Sequence, residues 1–179
     1  LLVVIVLIAI VSAITVLSVN VLGRDSELSG ESERLERLIE VVREHAQIQS
    51  RDYGLNFHQT GYRFLAYSPR TGLWEPVIGD PVLRERSLPP GLRFTLWLEG
   101  REVVLQTEEE LRAAEEQDDE DEDEEDKPPL PPQVFILSNG DVTPFELKLE
   151  REGMNRYVTF VGQPDGTIEV KLTDEENGV

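Results

Sequence analysis

The chain has no cysteine among its 179 residues. That excludes disulfides and thiolate metal sites, and it leaves the redox compartment unread. Its two histidines, His45 and His58, fall on different predicted elements and fit no zinc spacing. Basic residues are scarce: 17 lysines and arginines face 36 acidic residues, a formal net charge of −19. A nucleic-acid partner, whose phosphates demand a basic face, is therefore not expected. No G-x-S-x-G nucleophile elbow occurs in the sequence, so nothing marks out a hydrolytic serine. Neither catalysis nor a cofactor is expected, and no metal site.

What the chain does contain is one long uncharged run, LLVVIVLIAIVSAITVLSVNVL from Leu1 to Leu22. Its only polar side chains are Ser12, Thr15, Ser18 and Asn20. At about 1.5 Å per residue such a run reaches roughly 33 Å as a helix, enough to cross a bilayer's hydrocarbon. Lipid gives the backbone no partners, so the run must satisfy itself as a helix. A signal peptide would open on basic residues and close on a small-x-small site. This run opens on leucine and leads into polar helix, so it reads as a retained anchor. Val11, Ala13, Ile14 and Leu17 are candidate stem contacts, although the sequence does not separate lipid-facing from helix-facing positions.

Residues 23–32, GRDSELSGES, carry two glycines and three serines and predict a weak or partly unwound joint. From Glu31 to about Ser50 the helical period returns. Leu28, Leu35, Leu38, Ile39, Val42 and Ala46 share one stripe. Leu35, Leu38, Ile39, Val42 and Ala46 are the face expected to lie on a following domain. The pairs Glu33/Arg37, Glu31/Arg34 and Glu40/Arg43 are assigned to the opposite face. A fragment beginning near Glu31 is expected to fold without the anchor.

After Ser50 the period changes from 3.6 to 2. Strands are predicted at 53–58, 62–67, 73–74, 92–98, 103–105, 134–137, 145–149, 157–161 and 167–172, separated by glycine and proline turns. The loop over 80–90 contains three prolines. So many short alternating strands predict antiparallel sheets, a sandwich or strongly curved pair. Trp74, Trp97 and the tyrosines read as sheet packing. Residues 107–132 interrupt the pattern: Thr107 can cap a short helix, and Glu108 to Asp126 hold 14 acidic residues against one arginine. Such a run repels itself and is expected to be disordered. Without a glycine turn to fix its oxygens it is not a calcium loop. A polyproline-like stretch, Pro128 to Pro132, restarts the chain.

The apolar run LLVVIVLIAIVSAI resembles the hydrophobic stem of type IV pilin-like proteins, pseudopilins among them. Gly61-Tyr62-Arg63-Phe64, Gly72-Leu73-Trp74 and Leu88-Pro89-Pro90-Gly91-Leu92 are similar to the H-type minor pseudopilin family of type II secretion. The most specific match is Phe135 to Phe145, with Ser138, Gly140, Thr143, Pro144 and Phe145 carrying it. In that family a short leader and a glutamate precede the stem. The chain is expected to be clipped just before Leu1, and that glutamate falls on no residue here.

The resemblance implies an α+β, pilin-like fold: a long N-terminal helix, membrane-spanning below and amphipathic above, packed on an antiparallel β-sandwich. The expected division is 1–22 stem, 23–50 amphipathic continuation and 51–179 periplasmic β-domain, with the excursion at 107–132. It implies no enzymatic activity and an inner-membrane, single-pass location with the β-domain in the periplasm. Implied partners are other minor and major pseudopilins at a filament tip, and the inner membrane before assembly. The secretion channel and exported proteins are further candidates. Two alternatives remain on the residues alone: a membrane-anchored periplasmic binding module, and a minor pilin of a surface fibre.

Overall fold

A computed structural model describes the backbone of residues 2–107, 109, 110, 113 and 131–174, and side chains from residue 26 onward. Among the described residues, one long helix, α1 (Leu2–Gln49), is followed by ten strands: β1 (Tyr53–His58), β2 (Gly61–Ser68), β3 (Leu73–Pro76), β4 (Arg86–Ser87), β5 (Leu92–Leu98), β6 (Arg101–Val103), β7 (Val134–Ile136), β8 (Phe145–Arg151), β9 (Arg156–Gly162) and β10 (Ile168–Asp174). They form two antiparallel sheets, β3-β2-β1-β7 with β4 joined to the start of β2, and β10-β9-β8-β5-β6.

The 48 residues of α1 span about 72 Å at the helical rise. It runs unbroken through 23–32, where composition predicts a weak joint. Tertiary packing overrides propensity there. Leu28 is fully buried, Ser32 Oγ donates to the Ser29 carbonyl at 2.8 Å, and Glu27 pairs with buried Arg151 of β8. The helix ends in a Schellman turn. Ser50 takes the left-handed conformation at φ 49°, and the Arg51 N–H reaches the Ala46 carbonyl at 3.1 Å, which satisfies that carbonyl beyond the helix end.

The helix touches β8 and β9 of one sheet and β1 and β7 of the other. Leu35, Leu38, Ile39, Val42 and Ala46 are all buried there. The pairing of charges differs from the pattern on paper. Glu31 lies on the stripe between Leu28 and Leu35 and is itself buried, its charge met by Arg34. Arg43 pairs with Glu40 at 2.9 Å and also donates to the Gly166 carbonyl. Of the three pairs, Glu33–Arg37 is solvent-exposed on both sides.

Between the sheets, Phe57 of β1 meets Phe94 of β5 edge-on, with ring centroids 5.5 Å apart, and Tyr62 and Phe64 extend the aromatic cluster. Every residue of β1 is buried, although alternation predicts one wet face. The second face is covered by the chain returning at 131–133. Gln133 brackets Phe57, accepting from its N–H at 2.7 Å and donating to its carbonyl at 3.0 Å, and Asn56 donates to the Pro131 carbonyl. The Pro132 ring occupies the space that a Cβ on Gly54 would need.

The turn joining β5 to β6 is tighter than the sequence suggests. Glu99 and Gly100 alone make it, both at positive φ (52° and 74°), and Arg101 already pairs with Leu98. The two-residue β4 arises inside the proline-rich loop, where Leu88 N–H bonds the Thr60 carbonyl at 2.7 Å. Thr107 caps a helical turn reciprocally with Glu110: Glu110 N–H to Thr107 Oγ1 at 3.2 Å, Thr107 N–H to Glu110 Oε2 at 2.9 Å. Residues 114–130, with most of the acidic run, lie outside the described residues.

Candidate functional site: the docked spine and its clasp

Two regions carry the residues singled out from sequence. The first is α1. Its upper half supplies the buried stripe, and fully burying each leucine or valine there contributes about 1.5–3 kcal/mol. Its side chains below residue 26 lie outside those described, and Val11, Ala13, Ile14 and Leu17 are among them. Among the described residues no helix is long and apolar enough to cross a membrane.

At the lower edge of the domain the helix is held by charge. Arg151 is buried at the end of β8; one guanidinium nitrogen donates to the Pro90 carbonyl at 2.9 Å and another pairs with Glu27, which is half exposed. A buried arginine is costly unless paired, so this ion pair fixes where the helix leaves the domain. Nothing in the sequence marks Glu27 or Arg151, because they lie far apart in the chain.

The second region is the connection from β7 to β8, which carries the chain from one sheet to the other. Leu137 N–H bonds the Asp141 carbonyl and Gly140 N–H the Leu137 carbonyl. Asn139 and Asp141 bond one another through side chain and backbone. Ser138 N–H donates to Asp52 Oδ1 at 2.8 Å, tying the turn to the chain just after α1. Thr143 acts twice on Phe135: its N–H donates to the Phe135 carbonyl at 2.9 Å, and its Oγ1 accepts from the Phe135 N–H at 3.0 Å. The edge of β7 is thereby closed. Pro144 is exposed, and Phe145 is buried with its ring over Gly162, where a Cβ would strike it.

Gly140, at φ 97°, has Gln47 of the helix 2.6 Å from where a Cβ would stand. Its carbonyl faces Gly166, whose own carbonyl takes Arg43. Gly140 thus meets the last two turns of α1 and the β9–β10 turn in one corner, while Ser138 is tied to Asp52 just after the helix and Thr143 to Phe135 of β7. Asp165 in that turn is held below the usual carboxylate range by the Thr167 N–H. Gln47 and Arg43 escape a motif search because they contribute through position rather than through a pattern.

Among the described residues no group of histidines, aspartates and glutamates could hold a metal ion. The arrangement is mechanical. It couples the upper turns of a long helix to the junction of two sheets, as in a pilin-like subunit, a helical spine carrying a β-domain.

Known proteins agree. No protein-family model matches the chain. It is 33% identical over 153 residues to the type II secretion system protein H of Pseudomonas aeruginosa, covering 86% of this chain and 80% of the relative. With the type II secretion system protein H of Aeromonas hydrophila it shares 26% over 172 residues, 95% of the chain and 88% of the relative. The minor pseudopilin EpsH of Vibrio cholerae superposes with a TM-score of 0.59 at 20% identity, over 81% of this chain and 96% of that one. The solution structure of E. coli GspH gives 0.54 at 18%, over 87% and 92%; at such identities the likeness is one of fold. The chain belongs to the type II secretion system protein H family, the H-type minor pseudopilins, which is a structural family and not one of enzymes.

Proposed function

We propose that the chain is a subunit of a pseudopilus, incorporated near its tip, where it supports export of folded proteins across the outer membrane. Residues 1–22 hold it in the inner membrane before assembly and pack among the stems of other pseudopilins afterwards. Val11, Ala13, Ile14 and Leu17 make the stem contacts. The β-domain stands on the periplasmic side, and the 137–145 clasp keeps it rigid on the spine.

The observation that carries this reading is the unbroken helix Leu2–Gln49, whose stripe from Leu28 to Ala46 is buried on the domain. A plain anchor has no need of a rigid 48-residue rod. A subunit that must place its domain at a fixed height on a helical core does.

The absence of cysteine makes the test clean. Val11→Cys or Leu17→Cys in the full chain, combined with single stem cysteines in the other pseudopilins, should give specific disulfide heterodimers in sheared pseudopili. Deleting the chain should abolish secretion, and its return restore it. Normal secretion without the chain, and no stem cross-links, would leave a membrane-anchored binding module. Cross-links confined to a surface fibre would make it a pilin of that fibre.

A further inference from the structure

The outward face of the sheet β10-β9-β8-β5-β6 carries two patches of related chemistry, and the chain fills one of them itself. Near the start of β5, the Lys148 ammonium stands 4.3 Å from the centroid of the Tyr157 ring. The same lysine pairs with Glu150 at 2.7 Å, and Arg93 reaches that carboxylate at 3.0 Å. Aromatic face, carboxylate and cation lie together, an arrangement in which ring quadrupole and carboxylate attract the same positive charge. Burial alone would raise the Glu150 carboxyl. The hydrogen bonds from Lys148 and Arg93 outweigh it and hold the group below its ordinary range.

At the other end of β5 the same pattern recurs without the cation. Trp97 projects outward, half-buried, with Glu102 of β6 opposite on one side and Glu146 of β8 on the other. Directly opposed residues hold their Cβ atoms about 4.5–5.5 Å apart, so both residues stand beside Trp97; Glu146 lines the same hollow as the indole, whereas Glu102 lines a neighbouring one with Arg93. Glu99, two residues on in the positive-φ turn, adds a third. Val161 continues the row on β9. A cleft of about 390 Å³ opens here, lined by Trp97, Glu99, Glu146 and Val161 and walled by Pro144.

Among the described residues no lysine or arginine pairs with Glu99, Glu102 or Glu146. The cations of this face are engaged elsewhere: Lys148 and Arg93 on Glu150, and Lys171 on Glu169 at 2.8 Å. Arg101 sits opposite Leu98, on the other side of the sheet from Trp97.

We propose that the Trp97 cleft receives an arginine side chain presented by a neighbouring subunit of the pseudopilus. A planar guanidinium stacks on an indole and can bond two carboxylates at once, which a point-charge ammonium does less well. The filled Lys148–Tyr157–Glu150 patch shows that this face accepts a cation on an aromatic ring beside a carboxylate. The carboxylates of Glu99 and Glu146 in the cleft, with Glu102 beside it, would also steer a basic partner toward it. This inference rests on the assembly reading above, since it takes the neighbour to be another pilin-like subunit.

The test uses the full chain in detergent with tryptophan-free variants of the other pilin-like subunits of its own secretion system, in a Trp74→Phe background so that Trp97 alone reports. Assembly should quench or shift Trp97 emission and weaken steeply with added salt. The double variant Glu99→Arg/Glu146→Arg should raise the dissociation constant about ten-fold or more. Trp97→Leu, which keeps apolar cover over the strand, should raise it several-fold at an unchanged melting temperature. Glu169→Arg, on the same face but outside the cleft, should leave it within about two-fold. A complex indifferent to the double variant, or equally weakened by Glu169→Arg, overturns the proposal while the assembly reading stands.

If wild-type chains form no complex and no stem cross-links, the assembly reading falls and takes the named partner with it. The cleft's chemistry is read separately with N-acetylarginine methylamide, which should shift the Trp97 indole Nε1–H resonance saturably. The neutral citrulline analogue should not. Equal response to both, or to neither, overturns the arginine preference.

Discussion

At the residue scale the most informative side chain is Tyr62. It is almost fully buried in the aromatic cluster, and among the described residues its hydroxyl has no hydrogen-bond partner. Burial pushes the phenol up to about 12 from an ordinary value of 10, against the pull of Arg86. A raised pKa means that the folded state favours the neutral phenol. The associated stability is complete below pH 10 and is lost as pH climbs from 10 to 12. The size of that loss is on the order of 3 kcal/mol. Tyr62→Phe removes both effects. At pH 7 it should be more stable by about 1 kcal/mol, because an unsatisfied buried hydroxyl is gone. Its denaturant midpoint should fall less between pH 10 and 12 than that of the wild type, the remaining fall coming from other groups such as Tyr53, whose phenol burial also raises. A parallel fall in both proteins would show that Tyr62 does not titrate in the fold. Ser50 is a second residue whose conformation argues for substitution. It holds φ 49° at the helix terminus with an exposed side chain, and a left-handed conformation costs an L-residue roughly 1 kcal/mol. Ser50→Gly should therefore raise the melting temperature slightly, the backbone gain being partly offset by a freer unfolded chain. A fall would mean that the Ser50 side chain contributes more than its exposure indicates.

At the element scale, α1 and the sheets were unequally legible. The stripe through Leu35, Leu38, Ile39, Val42 and Ala46 is readable because helical periodicity is local. The strands are readable because alternation and glycine turns are local too. What composition misjudges is 23–32, where helix propensity is poor but the buried Leu28 and the Glu27–Arg151 pair hold the helix. Long-range contacts leave no mark on a ten-residue window. The same holds for the covered outer face of β1: Gly54 and Asn56 look like solvent-side residues until the chain at 131–133 returns over them. The Trp97 cleft was hidden for a related reason, since Glu102 and Glu146 approach the indole only through strand register. These contacts move the lower boundary of an independently folding fragment. Starting at Glu31 removes Leu28 and leaves Arg151 buried without Glu27. Starting at Ser26 keeps both. By unfolding in urea, the fragment 26–179 should exceed 31–179 in stability by about 2–5 kcal/mol, the cost of deleting a buried leucine with its cavity. Equal stabilities would show that the helix is not docked below Glu31.

At the scale of the whole molecule, the two roots of the acidic excursion stand side by side. Gln106 takes the Gln59 N–H through its carbonyl at 2.9 Å, and Gln133 brackets Phe57 two residues earlier. The excursion thus leaves and rejoins the fold at the end of β1. A link between such close ends tolerates shortening, because closure entropy varies only with the logarithm of loop length. Removing 115–126 takes away 11 acidic residues and keeps both the Thr107–Glu110 capping pair and the Pro131–Gln133 cover on β1. In a chain of net charge −19, that deletion lowers self-repulsion of the compact state. The melting temperature should stay equal or rise by a few degrees in 10 mM salt. The gain should fade by 1 M, where the screening length falls to about 3 Å. A lower melting temperature in the deletion at all salt concentrations would mean that the excursion packs on the domain. Calcium provides the opposing outcome. If micromolar calcium raised the melting temperature of the intact protein and not of the deletion, the acidic run would be an ordered cation site, and its lack of a glycine turn would have misled the reading of its sequence.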